Sequence, residues 1–209
     1  MSEAILSPDT KRTDRIPPRQ VQTYKWPVLH TGEVPPFVPL KWDLTLFPKP
    51  LVNDVKTFSW TEFQALPRIK VFADMHCVTR WSKLDNLWEG ISTLELLKYV
   101  TVSPQARFVM VHCEYGFCTN LPIADFFDND CLFALKHNGN DLTPDHGYPV
   151  RLVIPRLYAW KSAKWVRGIE FMEDDRPGYW EEWRHGGYHM RGDPWTEERH
   201  REQDETPNS

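Results

Sequence analysis

Positive charge is not in excess in this chain. Twenty-five Lys and Arg stand against 29 Asp and Glu, a net charge of −4. That balance gives no support to a nucleic-acid partner, which favours a basic face. No apolar run approaches the ~18 residues of a membrane span. The N-terminal stretch MSEAILSPDTKRTDRIPPRQVQTYKW has no continuous apolar segment and no adjacent Arg pair. No export signal is therefore expected, and the protein is read as cytoplasmic. Cysteine is scarce: Cys77, Cys113, Cys118 and Cys131 are all there is. Two disulfides are possible by count, but a reducing cytosol argues for thiols or ligands. There is no Cys-x2-Cys pair, and Cys113-x4-Cys118 matches structural zinc spacing poorly. Internal repeats and a regular βαβ rhythm are also missing.

What is present is a chain of 209 residues, long enough for one domain with a sizeable core. Hydrophobic residues make up 41% and charged residues 26%, ordinary for a soluble globular protein. Ten Trp exceed what a core needs, so several should line pockets or half-wet surfaces. Residues 1–25 read as an extended arm, 26–198 as the domain and 199–209 as a polar tail. Trp42, Leu44 and Leu46 alternate onto one face and predict a strand over 41–47, with 55–58 returning antiparallel. Ser59 and Glu62 fit a capping box for a helix over 60–66, and Pro67 stops it. Further strands are expected at 69–74, 107–113, 131–137, 150–155 and 165–171, with an Asn-Gly turn at 138–139. Ser92/Glu95 predicts a helix over 92–100, and Asn120 caps one over 120–127. Residues 74–91 and 137–149 read as long connections, which are often functional. Short strands and helices without βαβ order imply an α+β fold with mixed or largely antiparallel sheets.

The run VFADMHCVTRWS (71–82) ends a strand in His76 and Cys77 and passes at once into polar residues. Cys77 can be a buried structural thiol, a catalytic thiolate with a His base, or a zinc ligand with His76, His112, Cys113, Cys118 or Cys131. It can also be the single protein thiolate on a metal whose other ligands come from a cofactor. Neighbours on a strand face opposite sides, so His76 is poorly placed to serve Cys77. A second cluster lies in NDLTPDHGYPVRLVIPRLYAWKSAKWVRGIEF (140–171). Arg151 opens a strand after a turn at His146, and Lys161, Ser162 and Lys164 follow on a loop. Arg, Lys and hydroxyl groups converging there would make an anion site; ordinary solvated cations beside a strand are the plainer reading.

HGYPVRLVIPRLYAWKSAKWVRGIEF (146–171) resembles the closing motif of the sulfite oxidase superfamily of molybdopterin enzymes. DMHCVTRWS (74–82) resembles the cysteine motif of its short bacterial branch. WPVLHTGEVPPF (26–37) and GGYHMRGDPWTEER (186–199) are also similar to that branch, which is related to the catalytic subunit of methionine-sulfoxide reductases. The resemblance covers residues 24–198. It implies the sulfite oxidase-type molybdopterin-binding domain without a C-terminal dimerisation domain, and molybdenum held by the dithiolene of one molybdopterin. Cys77 would be the protein ligand to the metal, with Arg80 facing substrate and Trp81 walling the same pocket. Cofactor contacts would fall on His146, Arg151, Ser162, Ala163 and Lys164, with Lys161 beside them, on His76, and at the strand end His112-Cys113. Where the related reductases have an Asn-Phe-Tyr type motif, this chain has His30, Thr31 and Gly32. Gly is expected where Arg80 stands.

The implied activity is a two-electron oxygen-atom transfer on a small oxo-substrate of S-oxide, N-oxide or sulfite type. An unidentified protein would supply or take the electrons. A molybdopterin-binding protein with little catalysis and a zinc-stabilised binding domain are the competing classes.

Overall fold

A computed structural model of the protein describes residues 3–183 and 192–196. The N-terminal arm does not hang free. It contributes β1 (Ile5–Leu6) and β2 (Val21–Gln22), each laid parallel on a longer strand further along the chain. The alternation at Trp42, Leu44 and Leu46 forms β3 (Asp43–Phe47), and all three side chains are buried. β4 (Lys56–Ser59) returns antiparallel to it. Ser59 and Glu62 close the expected reciprocal capping box on α1 (Trp60–Gln64).

Two longer strands follow. β5 (Ile69–Cys77) runs through the cysteine, and β6 (Trp81–Ser92) replaces the long connection expected over 74–91. That stretch read as a loop because its polar residues are used inside the sheet. Buried Asn86, for instance, donates to the carbonyls of Ala73 and Lys83. The Ser92/Glu95 pair does not make a capping box. Ser92 caps Leu94, Glu95 pairs with Lys98 at 2.6 Å, and residues 93–98 form a 3-10 helix. β7 (Phe108–Cys113) and β8 (Cys118–Pro122) form a hairpin. Asn120 belongs to β8, so α2 (Ile123–Phe126) starts after Pro122 and not at Asn120.

β9 (Leu132–His137) enters the Asn138-Gly139 turn and pairs with β10 (Asn140–Asp141), as the sequence suggests. β11 (Arg151–Val153), β12 (Val166–Met172) and α3 (Tyr179–Trp183) complete the described chain. The tail at 199–209 and most of the 186–199 motif lie outside the described residues.

The strands form two mixed sheets. One has seven strands, in the order β1-β5-β6-β9-β10, with β11 on β9 and β2 on β6. The other has five, in the order β4-β3-β12-β7-β8. The main core fills the space between them, with Leu44, Val109, Ile169, Phe133 and Leu152 at its centre. A smaller core of Val71, Ala73, Trp88, Leu132 and Ala134 covers the other face of the larger sheet. β9 sends alternate residues into both cores, which is why its sequence is apolar without a break. Among the described residues no helix is long and apolar enough to cross a membrane. This is the mixed-sheet, short-helix α+β architecture the sequence predicts.

Candidate active site

Cys77 is the last residue of β5 and lies opposite Trp81 at the closed end of the β5–β6 hairpin. The Arg80 amide donates to the Cys77 carbonyl at 2.9 Å and closes the turn. The thiol is 6% exposed. It accepts a hydrogen bond from the Thr79 hydroxyl at 3.1 Å. Burial pushes this thiol up, and the Thr79 bond opposes the shift. His76 points the other way. Its Nδ1 meets the Ser82 hydroxyl at 2.9 Å, and Gln20 of the arm accepts from that hydroxyl. Burial drives His76 down to about 4, and because its ring is turned to Ser82 it is not placed to be the base of Cys77.

Cys77 opens into a cavity of about 360 Å³. Of the residues expected at a site, Cys77, Trp81, His30, Thr31, Gly32, Arg151, Ser162, Ala163 and Lys164 line it. Six do not. Arg80 stands on the exposed turn at φ 71°, a left-handed conformation that favours glycine. His76 faces Ser82. His112 bonds Glu170 at 2.8 Å. Cys113 packs into the main core. The His146 ring stacks flat on Trp26 at 3.7 Å. Lys161 is buried elsewhere, against Glu181 at 2.9 Å.

The sequence reading missed Thr79 and most of the walls, which are Trp26, Tyr115, Phe117, Trp160, Trp165 and Tyr179. The surplus of Trp was the one signal for them.

Arg151 and Lys164 are brought together by an antiparallel bridge between their backbones. Gly147 lets the preceding loop pass over both. At φ 107° it leaves no room for a side chain, and a Cβ there would meet the Arg151 Cβ at 2.9 Å. Arg151 is 3% exposed, with its guanidinium over Trp26 at 5.2 Å and Trp88 at 5.8 Å. It donates to the carbonyls of His146 at 3.1 Å and Ser162 at 2.9 Å, while its Nε has no partner. Lys164 donates to the Asp145 carbonyl. Among the described residues neither cation makes an ion pair with a carboxylate. Burial pushes Arg151 down to about 9, and burial with the Arg151 charge pushes Lys164 down to about 7. A buried cation and a half-buried one side by side without a counter-charge are costly unless an anion joins them.

Residues 31–180 match the family described as the oxidoreductase molybdopterin-binding domain. The chain belongs to this family. Membership implies a molybdenum–molybdopterin cofactor, and the cavity fits one. It offers molybdenum a soft thiol at Cys77, and it offers a phosphate the unpaired cations Arg151 and Lys164. A zinc domain is not supported, because no three His, Cys, Asp or Glu side chains among the described residues are grouped to hold a metal.

An uncharacterized oxidoreductase of Bacillus subtilis (strain 168), YuiH, is 45% identical over 194 residues, 91% of this chain and 96% of YuiH. YedZ1 of Azospira oryzae, whose name provisionally assigns it as a protein-methionine-sulfoxide reductase subunit, is 26% identical over 133 residues. That match covers 63% of this chain and half of YedZ1. The sulfane dehydrogenase SoxCD of Paracoccus pantotrophus shares the fold at a TM-score of 0.60 and 19% identity. The match covers 68% of this chain and 40% of the SoxCD chain.

Proposed function

We propose that this molybdopterin oxidoreductase moves one oxygen atom and two electrons on a small, neutral, largely apolar oxo-compound, an S-oxide or N-oxide. The observation that carries this reading is the division of charge in the cavity. Its two cations, Arg151 and Lys164, sit together where they suit the cofactor phosphate. Cys77 is flanked on its own hairpin by Met75, Val78 and Trp81, and the rest of the lining is largely aromatic, with Trp26, Phe117, Trp160, Trp165 and Tyr179. Arg80, the expected anchor for an anionic substrate, is not among them.

When bound, molybdenum supplies the two-electron chemistry. Cys77 holds it at a rigid strand end. Arg151, Lys164 and the Ser162–Ala163 backbone orient the pterin end. The aromatic walls exclude water and grip the organic part of the substrate. Reduction of an S-oxide consumes two protons and two electrons and releases a sulfide and water. The electrons come from a separate donor protein. We also place the protein in the cytoplasm, a reading supported by four cysteines that are all free thiols.

The test is steady-state turnover of molybdenum-loaded protein with reduced viologen as donor, on alkyl and aryl S-oxides, aromatic N-oxides and nitrate. Oxidation of sulfite is measured with an artificial acceptor. The expected result is kcat/KM for the neutral oxides at least tenfold above that for either anion. Preference for sulfite or nitrate overturns the substrate assignment. Absence of all turnover in loaded protein makes it a cofactor-binding protein.

A further inference from the structure

Lys161 shares its loop with Ser162, Ala163 and Lys164, yet its ammonium turns away from the cavity. Both Lys161 and Glu181 have side chains only 1% exposed, and their charged atoms meet at 2.9 Å. The other two ammonium protons go to the carbonyl and the side-chain oxygen of Asn120, each at 2.7 Å. The second Glu181 oxygen accepts the Gly178 amide at 2.6 Å, and Asn120 donates onward to Asp175 at 2.7 Å. Every donor of the ammonium is therefore used. Burial pulls Lys161 down, and the Glu181 charge opposes it.

This network joins the Lys161 loop, strand β8 and helix α3. Five residues of helix cannot hold themselves in place. Two residues of α3, the half-buried Tyr179 and the exposed Trp180, lie in the cavity lining. Tyr179 reaches across to the Thr31 hydroxyl at 3.3 Å and packs against Phe117 with ring centroids 5.5 Å apart. Gly178 runs so close to β8 that a Cβ there would lie 2.8 Å from the Thr119 Cα.

We infer that Lys161 and Glu181 are positioning residues that pin α3, and with it Tyr179 and Trp180, as one wall of the cavity. They thereby set which oxo-substrates fit. A buried pair of this kind contributes placement more than net stability, and breaking one half leaves the other charge buried alone. The pinned wall follows from the geometry; its consequence for specificity rests on the substrate reading above.

Cys118 is the reporter. It is half-buried beside α3, and the Tyr179 amide donates to its sulfur. Cys131, wholly buried in the main core, is the control. The experiment follows iodoacetamide labelling of each cysteine by mass spectrometry in molybdenum-loaded wild type, Lys161→Met, Glu181→Gln and the double variant Lys161→Met/Glu181→Met. Each single change should speed Cys118 labelling by about tenfold or more, the factor that 1.4 kcal/mol of lost closure produces. Cys131 labelling and molybdenum content should hold. The apolar double variant should restore protection of Cys118. KM for a bulky aryl S-oxide should rise in the single variants, with kcat for a small one nearly unchanged.

Unchanged Cys118 labelling in the single variants overturns the pinning. Cys131 labelling that rises in step makes the pair a brace of the whole fold. Loss of molybdenum from the single variants returns Lys161 to the cofactor site. Faster Cys118 labelling with an unaltered KM sinks the specificity role alone. Wild type that turns over no oxo-substrate sinks the substrate reading, while the labelling still decides the wall.

Discussion

Lys164→Met should have opposite effects on the empty and the loaded protein. Methionine keeps the stem and removes the charge. In the empty protein Lys164 is held at about 7, well below its ordinary 10.5, by burial and by Arg151. The folded state then resists a proton that the unfolded chain takes readily. The penalty is fully present below pH 7 and fades as pH rises toward 10.5. Each tenfold loss of proton affinity is worth about 1.4 kcal/mol, but the ammonium is partly exposed and screened, so the expected penalty is on the order of 2 kcal/mol. Empty Lys164→Met should therefore be more stable than empty wild type by about that amount at pH 7, and the gap should close by pH 10.5. With cofactor bound the sign reverses. Losing one charged donor to a phosphate costs about 1.5–3 kcal/mol, roughly a 10- to 150-fold loss of cofactor affinity. The assays are urea unfolding of cofactor-free protein at pH 7 and pH 10, and molybdenum and pterin content after dialysis. An empty variant less stable than wild type at pH 7 would refute the uncompensated-cation argument. So would equal cofactor retention in the two proteins.

Two further substitutions probe the neighbouring backbone. Gly147→Ala places a Cβ 2.9 Å from that of Arg151 and 3.1 Å from that of Lys164, at a φ of 107°. It should cost about 1–3 kcal/mol, roughly 2–10 °C in Tm for a chain of this size, and lower molybdenum content; calorimetry and metal analysis that match wild type would contradict this. Arg80→Gly relieves a left-handed backbone at φ 71°. About 1–2 kcal/mol of strain is released and roughly 0.4–1 returned as chain entropy, so Tm should hold or rise by up to about 6 °C. KM for neutral and anionic substrates should not move, and a selective rise for anions would place Arg80 at the substrate after all.

The parts of the fold legible in the sequence are those set by neighbours along the chain. The alternation through Trp42, Leu44 and Leu46, the Ser59/Glu62 box and the Asn138-Gly139 turn each need only a few consecutive residues. β6 was not legible, because its polar side chains serve a network across the sheet. Asn86 meets Lys83 and His137, and Asp85 interrupts the strand at φ 59°. Ser92/Glu95 looks like a capping box until Lys98 takes the carboxylate. The site divides the same way. The cysteine motif and the Arg151–Lys164 segment stand out as strings, and Cys77, Arg151 and Lys164 do line one cavity. The directions of side chains on those strings did not stand out. Lys161 and Lys164 are three residues apart on one loop, yet one ammonium meets Glu181 and the other faces the cavity beside Arg151. Trp26 on His146 and Thr31 on Tyr179 join segments more than a hundred residues apart, which no local pattern reveals.

The central claim is that Cys77 is the protein ligand to molybdenum. X-ray absorption at the molybdenum edge, on loaded wild type and loaded Cys77→Ser, tests it most directly. A hydroxyl is a far harder donor than a thiolate. The variant should keep its fold, lose one sulfur neighbour from the metal and lose turnover. An unchanged sulfur shell with activity retained would make Cys77 a structural thiol at the end of its strand.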